Sequence, residues 1–108
     1  MTISILGVDI EYETYGTGAI PVLLLHGWGG NMHSLSCFGN MLKDKHTIFS
    51  LTFPTQANSK PLDMPFYVLI IKKFMEHFNL VNCIVICHSF GARVGAIPAP
   101  AITISFAT

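Results

Sequence analysis

Val85-Ile86-Cys87-His88-Ser89-Phe90-Gly91 is the stretch on which the reading of this chain turns. It closes the apolar run that starts at Cys83. Short continuous runs of this kind are strands buried on both faces. The serine that follows is flanked by small residues at two positions before and two after. That spacing is a near-match to Gly-x-Ser-x-Gly, a sharp strand-to-helix turn with strained backbone. The turn pushes the serine Oγ out at the top of a sheet. Gly91 lets strand and helix approach. Cys87 stands where the first Gly is usual, small enough to be tolerated but bulkier.

Working outward, a second turn of related grammar lies upstream. Pro21–Leu25 reads as another buried strand, and His26-Gly27-Trp28-Gly29-Gly30 follows it as a glycine-rich loop. A helix is expected over about Met32–Leu42, weakened by Gly39. Thr47–Leu51 is a further buried strand, and residues 53–63, with Pro54, Asn58, Ser59 and Pro61, form a loop. From Pro65 to about Phe78 the pattern is helical, with Phe66, Leu69, Ile70, Phe74 and Phe78 as the apolar stripe. Lys72, Lys73, Glu76 and His77 supply its wet side, and Asp63 suits its cap. At the N-terminus, residues 2–6 and 8–15 read as two strands joined at Gly7. Val8, Ile10 and Tyr12 alternate with Asp9, Glu11 and Glu13, so one face is expected to be solvated. Alternating strands and helices predict a mostly parallel sheet with helices on both faces. After Arg93 no charged residue occurs in fifteen positions, and Pro98 and Pro100 stop any helix begun at Phe90. Residues 101–108 are compatible with a strand or a loose tail.

Composition narrows the function. The chain has 108 residues, 51% hydrophobic and 11% charged, with six acids against six bases. That is roughly half the usual charged fraction, with ample apolar material, so disorder is excluded. Six scattered Lys and Arg make no footprint for nucleic acid. The longest apolar run, Ala19–Leu25, is far short of the ~20 residues of a membrane-spanning helix. The N-terminus lacks a basic region followed by a long apolar one, so a cytoplasmic location is expected. Cys37, Cys83 and Cys87 show no zinc-ligand spacing, and are expected to be small hydrophobes rather than ligands or disulfide partners. No metal and no cofactor are expected, and the Gly-rich loop lacks the Gly-Lys-Ser/Thr ending of a phosphate loop.

The two turns, in this order and each after a buried strand, resemble the N-terminal part of an α/β-hydrolase of the serine hydrolase type. The likeness runs from about Ile3 to about Val94, through Leu-Leu-Leu-His-Gly-Trp-Gly-Gly and Val-Ile-Cys-His-Ser-Phe-Gly-Ala-Arg. It implies an incomplete α/β-hydrolase fold: a mostly parallel sheet with flanking helices and an N-terminal antiparallel hairpin. By position, Ser89 is the nucleophile, and the backbone N–H groups of Trp28 and Phe90 are the oxyanion donors. His26, Gly27 and Gly29 shape the oxyanion loop, His88 is the variable residue of the elbow, and Gly91 its small closing residue. Residues 1–94 are then the N-terminal part of the hydrolase domain. Residues 95–108 are an atypical tail, expected not to be homologous. The implied substrate is a small-molecule ester, amide or similar compound.

The departures are specific. After the second buried strand the family usually has Asp, then Pro-Gly-x-Gly and Ser; Thr52-Phe53-Pro54-Thr55-Gln56-Ala57-Asn58-Ser59 stands here. The family places its catalytic acid and His after the elbow. This sequence ends nineteen residues after Ser89 and has no Asp, Glu or His beyond it. His26 is expected to hold backbone. His33 opens the first helix, and acting as base would require hydrogen-bond reach to the Ser89 Oγ plus an orienting partner; His46 and His77 fall at element ends. Three readings therefore stand side by side. One is a serine hydrolase. The second is a non-catalytic remnant or split-protein fragment, associating with itself or a complementing chain through the edge left on the elbow strand. The third is a small binding module with Trp28, Phe53 and Phe90 lining an apolar pocket.

Overall fold

Two apolar faces of one sheet organise the molecule. The computed structural model describes residues 1–27, 30–54, 56–57, 60–61, 64–80, 82–88 and 101–106. In chain order the elements are β1 (Thr2–Ile5), β2 (Val8–Gly16), β3 (Val22–Leu25), α1 (Ser36–Leu42), β4 (Thr47–Leu51), β5 (Gln56–Ala57), β6 (Lys60–Pro61), α2 (Met64–His77), β7 (Cys83–His88) and β8 (Ala101–Phe106). Six strands form one sheet in the order β1-β2-β4-β3-β7-β8, and β5 and β6 pair separately. The hairpin β1–β2 and the pair β2–β4 are antiparallel. The pairs β3–β4, β3–β7 and β7–β8 are parallel.

The hairpin turns at Leu6 and Gly7, with φ of 52° and 78°. Two successive positive φ values match the two-residue turn whose twist fits the flanking strands. On β2 the alternation places Ile10 in the core, while Asp9 and Glu11 face solvent.

Strands β3 and β7 bury residues on both sides, as continuous apolar runs should. Leu23, Leu25, Leu51, Cys83, Val85 and Cys87 face α2 in the larger core. Val22, Leu24, Ile48 and Ile86 pack with Leu35 on the other face, where Phe38 and Leu42 of α1 lie. Cys83 and Cys87 are buried and reduced, as expected of small hydrophobes, while Cys37 is exposed. Burial pushes the Cys83 thiol up from its ordinary value.

Four expectations change. The helix expected from Met32 begins at Ser36, because both polar groups of the Met32 backbone are taken, by Ser50 of β4 and by Thr52 just past it. Of the expected α2 stripe, Ile70 and Phe74 are buried and Phe66 and Phe78 pack partly buried against the core, but Leu69 points outward, and Tyr67, Ile71 and Met75 complete the buried face. Phe66 to Ile71 is an unbroken apolar run, so several stripes at helical spacing were available, and packing on the sheet selects one. The 53–63 loop contains the small β5–β6 pair. Finally, β7 has no open edge: β8 pairs along it from Cys83↔Ala101 to His88↔Phe106. The position of the Asp63 cap lies outside the described residues.

The end of α2 is closed locally. Leu80 N–H donates to Met75 C=O at 2.8 Å and Asn79 N–H to Glu76 C=O at 3.2 Å, with Asn79 at φ 54°. This is a Schellman closure, and the accompanying apolar contact is supplied by Met75 and Leu80 in the core.

Candidate functional site

The parallel register fixes where β3 and β7 end. Leu25 of β3 is opposite Cys87 of β7, so both strands run out at the same sheet edge. The chain leaves β3 at His26 beside the point where β7 ends at His88. Carboxyl ends of neighbouring parallel strands are where open α/β sheets bind ligands.

His26 is 4% exposed and both ring nitrogens are engaged. Phe53 N–H donates to Nε2 at 2.8 Å. Nε2 is therefore unprotonated, and Nδ1–H donates to the Gly27 carbonyl at 2.6 Å. Burial holds this imidazole below the ordinary histidine range, and the Gly27 hydrogen bond opposes that shift. The ring stacks edge-on against Phe53, centroids 4.9 Å apart, and Phe53 in turn meets Tyr67 at 5.8 Å. Phe53 is thus a core residue, with 5% exposure.

Gly27 and Gly30 bracket positions 28–29. The Gly27 carbonyl also accepts the Gly30 N–H at 3.0 Å. A Cβ on Gly30 would stand 2.6 Å from Ser34 Oγ and 3.2 Å from His26 Cβ, so the close return of the chain needs glycine there. Asn31 N–H donates to Ser34 Oγ at 2.9 Å, and His33 N–H to Asn31 Oδ1 at 2.8 Å. Beyond the loop, Ser50 Oγ donates to the Met32 carbonyl and Thr52 Oγ1 accepts the Met32 N–H. Sequence reasoning passed over Ser50 and Thr52. The available signal was a polar residue inside the apolar run Thr-Ile-Phe-Ser-Leu.

Of the predicted site residues, His26 and Gly27 lie together in the described loop, and His88 ends β7, half-buried. Trp28, Gly29, Ser89, Phe90 and Gly91 lie outside the described residues. His33 does have an acidic partner: its Nδ1 is 3.5 Å from Glu13 Oε1 on β2. Glu13 is opposite Ser50, and β2 is three strand spacings from β7, about 14 Å. That pair belongs to the surface beside β2 rather than to the β3–β7 junction. His46 Nδ1 binds the Ile20 carbonyl at 2.9 Å, at the opposite end of the sheet. His77 closes α2 against Phe78.

The strand order has a counterpart among solved structures. An α/β-hydrolase fold protein from Burkholderia ambifaria superposes with a TM-score of 0.79 at 17% identity, over 87% of this chain and 36% of that one.

The chain has the α/β-hydrolase fold.

No protein-family model matches it. Two curated relatives carry the likeness in sequence. One is the dihydrolipoyllysine-residue acetyltransferase component of an acetoin cleaving system from Cupriavidus necator, 28% identical over 94 residues. The other is a candidate esterase/lipase from Mycoplasma pneumoniae, 27% identical over 90 residues. They cover 83% and 79% of this chain, which spans 25% and 33% of their lengths. In this fold β3 and β7 are adjacent strands inside the sheet. Among the described residues no helix is long and apolar enough to cross a membrane, and no group of three metal-ligating side chains occurs.

Proposed function

We propose that this chain carries the nucleophile half of a serine hydrolase acting on a small-molecule ester, amide or similar acyl compound. One observation supports the reading: β3 and β7 are adjacent and parallel, with Leu25 opposite Cys87, so the two strands end, at Leu25 and His88, at the same end of the sheet. Ser89 attacks the acyl carbon there. The N–H groups of Trp28 and Phe90 stabilise the oxyanion, the largest single term in such catalysis. His26, Gly27 and Gly29 form the loop that presents Trp28, and Gly91 lets the following segment approach. The names of the two curated relatives, an acetyltransferase component and an esterase/lipase, both belong to acyl chemistry.

The base and acid come from outside residues 1–108. His26 has both nitrogens occupied and His33 is turned to Glu13. An unassisted serine is a weak nucleophile at neutral pH, so these residues alone react slowly. We place the complementing segment along the outer side of β8, which ends the sheet among the described residues. Residues 1–94 make up the hydrolase-like part, and 95–108 the uncharged tail that contains β8.

An alkyl fluorophosphonate tests the reading. The 108-residue chain should be labelled slowly at Ser89, and Ser89→Ala should abolish the label. A folded chain that takes no label overturns the assignment.

A further inference from the structure

Ser50 and Thr52 are unexplained by the turns that define the site. Ser50 is 2% exposed within a strand of otherwise apolar or edge residues. A buried hydroxyl costs free energy unless it is hydrogen-bonded. Ser50 Oγ donates to the Met32 carbonyl at 2.5 Å. Thr52, two residues on and therefore on the same side of the sheet, accepts the Met32 N–H at 2.9 Å. Both polar groups of one backbone residue are thus gripped by one strand and its exit. On the opposite side of the same exit, Phe53 N–H holds His26 Nε2 at 2.8 Å. The backbone between His26 and Met32 is consequently tied to β4 at both ends.

We propose that Ser50 and Thr52 are positioning residues that fix the Met32 backbone against β4, and that the residue-28 amide assigned above to the oxyanion depends on this anchor for its aim. This role rests on the oxyanion reading above. Oxyanion donors act through preorganisation, because a donor that must be oriented during the reaction loses most of its effect. Neither side chain is a ligand of the substrate. Their effect passes through the Met32 backbone. The Thr52 hydroxyl serves as a neutral acceptor for the Met32 N–H.

The full 108-residue chain is compared with Thr52→Val, Thr52→Ser and Ser50→Ala. Two quantities are read: amide hydrogen exchange at Met32, and the rate of Ser89 labelling by an alkyl fluorophosphonate. Thr52→Val keeps the branched shape and deletes the acceptor. It should speed Met32 exchange about 3- to 10-fold, the effect of one hydrogen bond, with the β3–β7 ladder amides unchanged. It should slow labelling by about tenfold, and Thr52→Ser should restore both. Ser50→Ala should act in the same direction, and decides the matter if circular dichroism shows Thr52→Val unfolded. Labelling of Thr52→Val at the wild-type rate overturns the positioning role and leaves the oxyanion reading standing. A folded wild-type chain that takes no label overturns both. Unchanged Met32 exchange in folded Thr52→Val removes the clamp itself.

Discussion

Gly39 shows how one residue can look wrong locally and be right in context. In a helix interior glycine is unfavourable by about 1 kcal/mol relative to alanine. Here a Cβ would collide with the Tyr15 hydroxyl oxygen and stand 2.9 Å from the ring carbon that bears it. Burial, with the Glu13 carboxylate adding to it, raises the Tyr15 phenol above its ordinary value, so it stays neutral against the helix. Gly39→Ala should therefore destabilise the fold by about 1–3 kcal/mol in urea titration, despite the better helix propensity. Tyr15→Phe in the same chain should recover part of that loss. His26 makes a second prediction at this scale. Its folded pKa lies below its unfolded one, so the unfolded chain binds more protons beneath the ordinary histidine value. Its contribution to stability is full above about pH 6.5 and declines as pH falls towards the folded pKa. The urea midpoint should drop between about pH 7.5 and pH 5.5, and the drop should shrink in His26→Gln. An equal drop in the variant would assign the effect to other groups.

At the scale of elements, apolar runs located β3, β4 and β7 because each is buried on both faces and cannot be anything but a central strand. The start of α1 was not legible. Nothing between Met32 and Leu35 forbids helix; the Ser50 and Thr52 hydroxyls, eighteen and twenty residues away, take the Met32 backbone groups out of it. The buried face of α2 was likewise ambiguous, since six successive apolar residues offer several stripes. The β1–β2 hairpin carries a correctable flaw. Leu6 sits at φ 52°, a region that costs a side-chain-bearing residue about 1–2 kcal/mol, and it is 46% exposed. Leu6→Asn gives the Asn-Gly pair that this turn favours. It should stabilise the chain by about 0.5–1 kcal/mol, read as a higher melting temperature. A lower one would mean that the Leu6 side chain supports the hairpin in a way its exposure does not suggest.

For the whole molecule, the low charged fraction at first only excluded disorder and basic partners. The fold gives it a structural setting: β3, β4 and β7 lie inside the sheet with apolar clusters on both faces, and β8 continues it past β7. Because β8 supplies the ladder partners of β7, a chain ending after residue 94 would leave Cys83–His88 with an unpaired edge. Unpaired edges recruit other chains. That truncation should lower the monomer fraction in size-exclusion chromatography relative to residues 1–108, and an equal monomer fraction would show that β8 does not protect the edge. The amino-acid sequence alone determined the positions of β1 to β4 and β7, the hairpin and the alternation with helices, because burial and backbone conformation leave local patterns in composition. The tertiary structure alone decided that β3 lies between β4 and β7, which brings the ends of β3 and β7 to one end of the sheet. It also decided that Ser50 and Thr52 hold the Met32 backbone, that His33 is committed to Glu13, and that β8 covers β7. These depend on contacts between residues far apart in the chain, and such contacts leave no local period in the sequence to be read.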